Sequence, residues 1–308
     1  MRPKGLIRLL LTGCLLLLLS GCTFGATVDA LLTPPHLRGE QEQIYQALEN
    51  AVGNRITLQY PRSGDHLSAV MISDLDGDGQ DEAAVFYRKE SSLSTENALR
   101  LNLLDQADGT WMSVCDLPAE GAEVDRGFTA DIGGRQRLII GYSQVDQSDK
   151  ALVVYNYEGG TLAKSFTVSY SSFDVADLDG DDQSELLILK AAEGEHAAEA
   201  AVYVPDEQDH YTRYSLTLQG KTTEYSQVLC GNTQGKQTAI YLDGIVGATT
   251  MQTEVLQFDG KKLSYLVPTG SDAVSTIRPT GWLTMDIDQD DIPEIPVQGL
   301  FPGYQDTD

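Results

Sequence analysis

A nine-residue acidic segment returns three times in this chain, as Asp74 to Glu82 (DLDGDGQDE), Asp177 to Glu185 (DLDGDDQSE) and Asp286 to Glu294 (DIDQDDIPE). Each places carboxylates at its first, third, fifth and ninth positions. A tightly curled loop brings such side chains around one point, where hard oxygen donors suit a cation of the calcium type. Four carboxylates held together repel one another unless a cation, a proton or an opening of the loop relieves them. Asp and Gly are common in ordinary solvated turns, but such turns need not recur at a regular spacing. An EF-hand is excluded, because its bidentate Glu belongs at loop position twelve, where Val85, Ile188 and Val297 stand, and because short apolar runs rather than amphipathic helices follow each loop.

From Arg55 onward the chain reads as short apolar or alternating runs separated by Gly, Asp and Asn, the pattern of strands. Ala69 to Ile72 leads into the first loop and Ala83 to Tyr87 leads out. Leu99 to Leu103 alternates, and after a turn at Asp108-Gly109 a fourth run covers Trp111 to Leu117. Four strands in about fifty residues make one propeller blade. The same outline begins again at Phe128 to Gly141, with Asp131-Ile-Gly-Gly in place of the acidic loop, and at Val228 to Leu242, with Gly231-Asn-Thr-Gln-Gly there. Turns at Glu158-Gly-Gly and Asp259-Gly-Lys match the one at Asp108-Gly109. The expected fold is all-β: a β-propeller of four-stranded blades, about five visible with the last incomplete, behind a short N-terminal helix. Ile295 to Gly299 would be the second strand of the last blade, and Arg55 to Tyr60 an outer strand that helps close the ring.

These repeats resemble the FG-GAP or VCBS family, whose blades build the propellers of integrin α subunits and of many bacterial secreted proteins. The resemblance covers roughly residues 67 to 308. It implies that the loop joins the first and second strands of a blade and binds calcium through side chains at positions one, three, five and nine and a backbone carbonyl at position seven. Carried over, the ligands are Asp74, Asp76, Asp78, Glu82 and the carbonyl of Gln80, then Asp177, Asp179, Asp181, Glu185 and Gln183, then Asp286, Asp288, Asp290, Glu294 and Ile292. Departures are the Glu at position nine, Asp182 and Asp291 at position six where the first loop has Gly79, and Gln289 and Pro293 in the third loop. The resemblance also implies that the links Lys89 to Asn97, Tyr142 to Lys150, Lys190 to Ala200 and Gly244 to Gln252 share the opposite face, as a recognition surface would.

Arg2, Lys4 and Arg8 precede the apolar run Leu9 to Leu19, and Leu19-Ser-Gly-Cys22 resembles a bacterial lipobox. The run is short of the roughly 20 residues that span a bilayer, so the expectation is a lipoprotein signal over 1–21, lipid on Cys22 and a tether over 22–37. Residues 38–66 hold a helix over 38–52, with Leu37, Ile44, Leu48 and Val52 on one face, and a strand; the propeller fills 67–308. The formal net charge is −25, and removal of residues 1–21, with three basic and no acidic residues, takes it to −28. Such a polyanion is a poor partner for nucleic acid or for anionic headgroups. Cys115 and Cys230 lie in separate repeats and apolar surroundings, which favours two buried free thiols over a disulfide.

No GxSxG, HExxH, P-loop or dinucleotide fingerprint is present. His36, His66, His196 and His210 are scattered. The reading is a surface-anchored, extracytoplasmic calcium-binding module that binds a protein or carbohydrate ligand as an adhesion or scaffold element. The alternative is a propeller enzyme of polysaccharide lyase or glycosidase type with an acidic site at the central channel. Unlike polar side chains gathered at one mouth would favour the enzyme, and a broad loop surface the binder.

Overall fold

The computed structural model describes residues 39–89, 99–144, 150–233, 237–266 and 275–298. Residues 43–308 form one compact unit; of the other, 1–42, only residues 39–42 are described. The expected signal, Cys22 and the tether therefore lie outside the described residues. No helix among the described residues is long and apolar enough to cross a membrane.

The helix, α1 (Glu40–Val52), starts two residues later than the pattern suggests and carries Glu40 and Glu42 in its first turn, where the helix dipole favours negative charge. It stops where Gly53 turns to φ +94° and donates its N–H to the Glu49 carbonyl at 2.8 Å, a left-handed cap that a side chain would strain. After it come β1 (Ile56–Leu58), β2 (Val70–Ser73), β3 (Glu82–Lys89), β4 (Leu99–Ala107) and β5 (Thr110–Pro118), then β6 (Glu123–Asp131), β7 (Gln136–Ser143), β8 (Lys150–Glu158) and β9 (Thr161–Ser169). The next four are β10 (Ser172–Ala176), β11 (Glu185–Lys190), β12 (Glu199–Pro205) and β13 (Tyr211–Thr217). The last are β14 (Glu224–Asn232), β15 (Thr238–Ile245), β16 (Thr250–Phe258), β17 (Leu263–Tyr265) and β18 (Arg278–Pro279).

These strands make four antiparallel sheets, each a meander in chain order: β2-β3-β4-β5, β6-β7-β8-β9, β10-β11-β12-β13 and β14-β15-β16-β17. The hairpin at Asp108-Gly109 has positive φ at both residues, as does Gly159-Gly160, which is the backbone a two-residue turn between right-twisted strands requires. Irregularities fall at equivalent places, between Leu103 and Leu104 in the first sheet and between Val154 and Tyr155 in the second. The four-strand repeat read from the sequence is thus present in the backbone.

Alternation along the second strand of each sheet tells which sheets face each other, because successive side chains point to opposite faces. Ala84 and Phe86 of β3 share a buried cluster with Leu138 and Ile140 of β7. Ile139 of β7 joins Leu186 and Ile188 of β11, and Leu187 and Leu189 of β11 join Ile240 and Leu242 of β15. Each second strand is covered on both faces, which explains why AAVFY, LIIGY and LLIL read as unbroken apolar runs.

Both ends of this stack are capped. On the free face of the first sheet, Ile44 and Leu48 of α1 pack with Val70, Ala83, Val85, Tyr87, Leu104 and Trp111. On the free face of the fourth, Ala239, Tyr241 and Val255 are met by Leu266 and Ile295. Among the described residues, the apolar clusters connect neighbouring sheets only, and none joins the first sheet to the fourth.

Three expectations are corrected. Ile56–Leu58 does not extend the last blade; it pairs with β3 at Lys89 to Tyr87, along the edge that β2 occupies further down, because the chain reaches that edge directly from α1. Residues 295–298 form no strand: the segment after the third loop has the single bridge Met285 to Glu294 and turns Ile295 onto the fourth sheet. Gly299 lies outside the described residues. Finally, Cys115 and Cys230 are free but only half-buried. Burial still pushes the Cys230 thiol up to about 12, aided by the charge of Asp174, so this thiol is inert at neutral pH.

Candidate metal centre

The three acidic loops adopt one conformation. Asp74 Oδ1 accepts the N–H of Gly77 at 2.7 Å and its Oδ2 that of Gly79 at 3.0 Å. Asp177 does the same to Gly180 and Asp182 at 2.7 and 3.0 Å, and Asp286 to Gln289 and Asp291 at 2.7 and 3.0 Å. The fifth-position carboxylates of Asp78, Asp181 and Asp290 accept the N–H of Gln80, Gln183 and Ile292. Positions four and six are left-handed throughout, with Gly77 and Gly79, Gly180 and Asp182, then Gln289 and Asp291 all at φ between 64° and 85°. The third loop, with the most departures from the pattern, therefore closes as the other two do. Its Pro293 is buried against Gly231 of β14, where even a Cβ would approach within 2.6 Å of the ring.

A left-handed residue other than glycine costs about 1–2 kcal/mol, part of which returns through the lower entropy of the unfolded chain. Gln289→Gly is expected to stabilise the protein by about 0.5–1 kcal/mol, measured by urea unfolding at fixed calcium. A loss of stability would contradict the left-handed geometry at this position.

Most of the expected ligands come together. Carboxylate oxygens of Asp74, Asp76 and Asp78 lie within 4.8 Å of one another, as do those of Asp286, Asp288 and Asp290 and those of Asp177, Asp179 and Glu185. Asp181, Glu82 and Glu294 stand outside these triplets. The ninth-position glutamates are anchored alike, with one oxygen accepting the N–H of the second loop residue: Leu75 to Glu82 at 2.7 Å, Leu178 to Glu185 at 2.8 Å, Ile287 to Glu294 at 2.8 Å. Glu82 and Glu185 also open the second strands of their sheets, opposite Ser73 and Ala176, while Glu294 makes only an isolated bridge to Met285.

Two of these glutamates are deeply buried, Glu82 at 1% and Glu185 at 3% exposure. Burial raises both carboxyls to about 7; the loop N–H works against the rise, and the neighbouring aspartates add to it. Asp76 and Asp179 are raised by burial and then by like charges, and Asp288 first by the charge of Asp290. Glu82 Oε1 and Asp179 Oδ1 are buried without a hydrogen-bond partner. An orphaned buried carboxylate oxygen costs about 1–3 kcal/mol or more, and a hard cation is the partner this donor set fits.

The loops also touch the following sheet. Leu75 packs with Leu138, Tyr155 and Tyr157 of the second sheet. Leu178 packs with Ile240, Leu256 and Phe258 of the fourth. Asp179 Oδ2 sits so close to Gly260, in the β16–β17 turn, that a Cβ there would approach it to 2.7 Å. In the second sheet the corresponding loop is short, and its neighbour Arg137 is buried, bonding the Ile132 carbonyl at 2.9 Å, Asn156 at 2.7 Å and Asp209 at 2.6 Å. A fixed guanidinium there ties the second sheet to the β12–β13 turn. Nothing in the local sequence pattern marks Arg137, because its partners are up to 72 positions away.

Fold and loops together define a class: an all-β chain of stacked four-stranded antiparallel sheets with three acidic loops that could hold a cation, two of them at the entry to the second strand of a sheet. No family model matches the chain, and no curated protein does. Among solved structures, it is similar to the rhamnogalacturonan lyase YesW, with 17% identity over 70% of this chain and 49% of that one, at a TM-score of 0.34. The exotype rhamnogalacturonan lyase YesX aligns with 15% identity over 70% and 57%, at 0.33. A rhamnogalacturonan lyase from Bacillus licheniformis aligns with 15% identity over 70% and 49%, at 0.34. The chain thus spans about half the length of these lyases.

Proposed function

We propose that this chain is a calcium-stabilised arc of β-propeller blades, four complete and a fifth begun, that acts as a binding or scaffold module. The observation that carries the metal reading is Glu82: a carboxylate at 1% exposure, with one oxygen unpartnered, behind Asp74, Asp76 and Asp78. In this reading the carbonyls of Gln80, Gln183 and Ile292 complete the three ligand sets, together with Asp181, Glu82 and Glu294. The face-to-face packing of consecutive sheets supports the propeller. The lipobox-like Leu19 to Cys22 supports an extracytoplasmic protein held to a membrane by lipid, with a protein or carbohydrate as its ligand.

Calcium titration of the full chain by calorimetry tests the metal reading. Three sites with dissociation constants of roughly 0.1–1 mM are expected, the range of extracellular calcium modules. Loss of one site is expected when Asp74, Asp76 and Asp78 are changed to Ala. Absence of calcium uptake in the unsubstituted chain would sink it.

A second reading, a carbohydrate-active enzyme, draws on one observation. At the ends of β7 and β11 away from the loops, a cleft of about 620 Å³ lies between the second and third sheets, lined by Tyr142, Lys150, Tyr170, Lys190, His196 and Glu199 among others. Unlike polar groups gathered in one cleft are what an enzyme needs. Lys150 is held at 3.0 Å from both oxygens of Asp125, which also accepts the Tyr170 hydroxyl at 2.6 Å. The named likenesses fall on this side, but at TM-scores of 0.33–0.34 they do not carry it. Incubation with pectic polysaccharides, followed by ultraviolet absorbance for unsaturated sugar ends, separates the two. Product formation abolished by Lys150→Ala would favour the enzyme.

A further inference from the structure

The antiparallel register of β3 and β4 pairs Ala83 with Leu104, which sets Glu82 opposite Asp105. Residues directly opposite in such a ladder point to the same face, about 4.5–5.5 Å apart at Cβ, and like charges placed so are destabilising. Asp105 is nonetheless fixed there. Its Oδ2 accepts the hydroxyl of Tyr157 at 2.7 Å, its Oδ1 accepts the N–H of Gln106 at 2.6 Å, and Tyr157 is a buried residue of β8 in the second sheet. The charge of Asp105 acts on both Glu82 and Asp76. Across from it, Glu82 is 1% exposed and its Oε1 has no partner. The second loop has no such neighbour: Leu186 pairs with Tyr203, so Glu185 stands opposite Val204.

We propose that Asp105, held by Tyr157, is an additional carboxylate of the first metal centre that makes this centre bind a divalent cation more tightly than the second. The inference rests on the metal reading of the first loop. Asp105 lies outside the triplet of Asp74, Asp76 and Asp78, so it acts through Glu82 as a positioning residue. With a cation bound, its charge deepens the attraction of the centre, and the cation offsets the repulsion between Asp105 and Glu82. Without one, the same charge repels Glu82. The bond from Tyr157 then couples cation binding in the first sheet to the packing of the second.

The experiment compares the full chain with Asp105→Asn, Asp105→Glu and Tyr157→Phe in two measurements, calorimetric calcium titration and urea unfolding in EDTA or calcium. Outer groups that orient metal ligands are typically worth 10–100-fold in affinity. Asp105→Asn is expected to weaken one site about tenfold and leave the others unchanged as internal controls. Asp105→Glu restores much of that loss, and Tyr157→Phe weakens the same site several-fold. The signature that a purely structural role does not produce is a change of sign: Asp105→Asn is neutral or stabilising in EDTA and destabilising in calcium. Equal destabilisation in both media with unchanged calcium affinity would overturn this inference alone. Absence of any calcium effect on the unsubstituted chain would overturn it together with the metal reading.

Discussion

Replacing Arg278 by alanine is expected to cost about 3–5 kcal/mol of stability, the usual consequence of removing one partner of a buried ion pair. Arg278 and Asp243 are each 1% exposed and meet at 2.9 Å. The guanidinium also bonds Thr253 Oγ1 at 2.7 Å, the Thr276 carbonyl at 3.0 Å and the Trp282 carbonyl. Asp243 in turn accepts the Thr253 hydroxyl at 2.6 Å, the Thr284 hydroxyl at 2.8 Å and the Thr284 N–H at 2.7 Å. The network lies between β15, β16 and the segment 275–298, so it fastens that segment to the fourth sheet. Without Arg278 the Asp243 charge is left uncompensated in a dry site, and the segment detaches from Ala239, Tyr241 and Val255. Arg278→Met combined with Asp243→Leu should cost less than Arg278→Ala, since no charge is then stranded. Urea unfolding gives the energies, and hydrogen exchange at Ile240 to Leu242 reports the detachment. A cost below about 1 kcal/mol for Arg278→Ala would mean that the pair is solvated and the segment is held by its apolar contacts alone.

The second large effect is expected from calcium. At 1 mM calcium and a dissociation constant of about 0.1 mM, each site adds about 1.4 kcal/mol, or about 4 kcal/mol for three. Domain stability is ordinarily about 5–15 kcal/mol, so several degrees of melting temperature are at stake. The effect should grow with pH. Glu82 and Glu185 rise from the ordinary glutamate value of 4.5 to about 7 in the folded chain, so between these values the folded state holds protons that the unfolded state has lost. Their contribution in EDTA is complete below about 4.5 and is lost as pH rises through about 7. A bound cation takes the place of those protons and removes the loss. Melting curves in EDTA and in calcium should lie close together near pH 5 and separate widely by pH 8, and the Asp74, Asp76 and Asp78 to Ala variant should show a reduced separation. Curves that coincide at pH 8 would leave the loops as acidic turns.

The third loop links the two predictions. Its bridge from Met285 to Glu294 and its buried Pro293 belong to the segment that Arg278 fastens. Arg278→Ala should therefore also remove one calcium site.

The sequence by itself determined whatever depends on neighbours along the chain. An Asp at loop position one can reach the N–H groups three and five residues on only if positions four and six turn left-handed, so one nine-residue pattern sets the shape of all three loops even where Gln289 replaces glycine. The turns at Asp108-Gly109 and Gly159-Gly160, the end of α1 at Gly53 and the unbroken apolar runs of the second strands are legible for the same reason. Only the tertiary structure decided what depends on partners across the fold. Arg278 and Asp243 are 35 positions apart, and nothing local says that they meet. The place of Ile56–Leu58 beside β3, the cap of α1 on one face and of Ile295 on the other, and Asp105 opposite Glu82 follow from register and from which sheet faces which. Those choices are made by burying both faces of every second strand at once, a condition on the whole set of side chains that no short stretch contains.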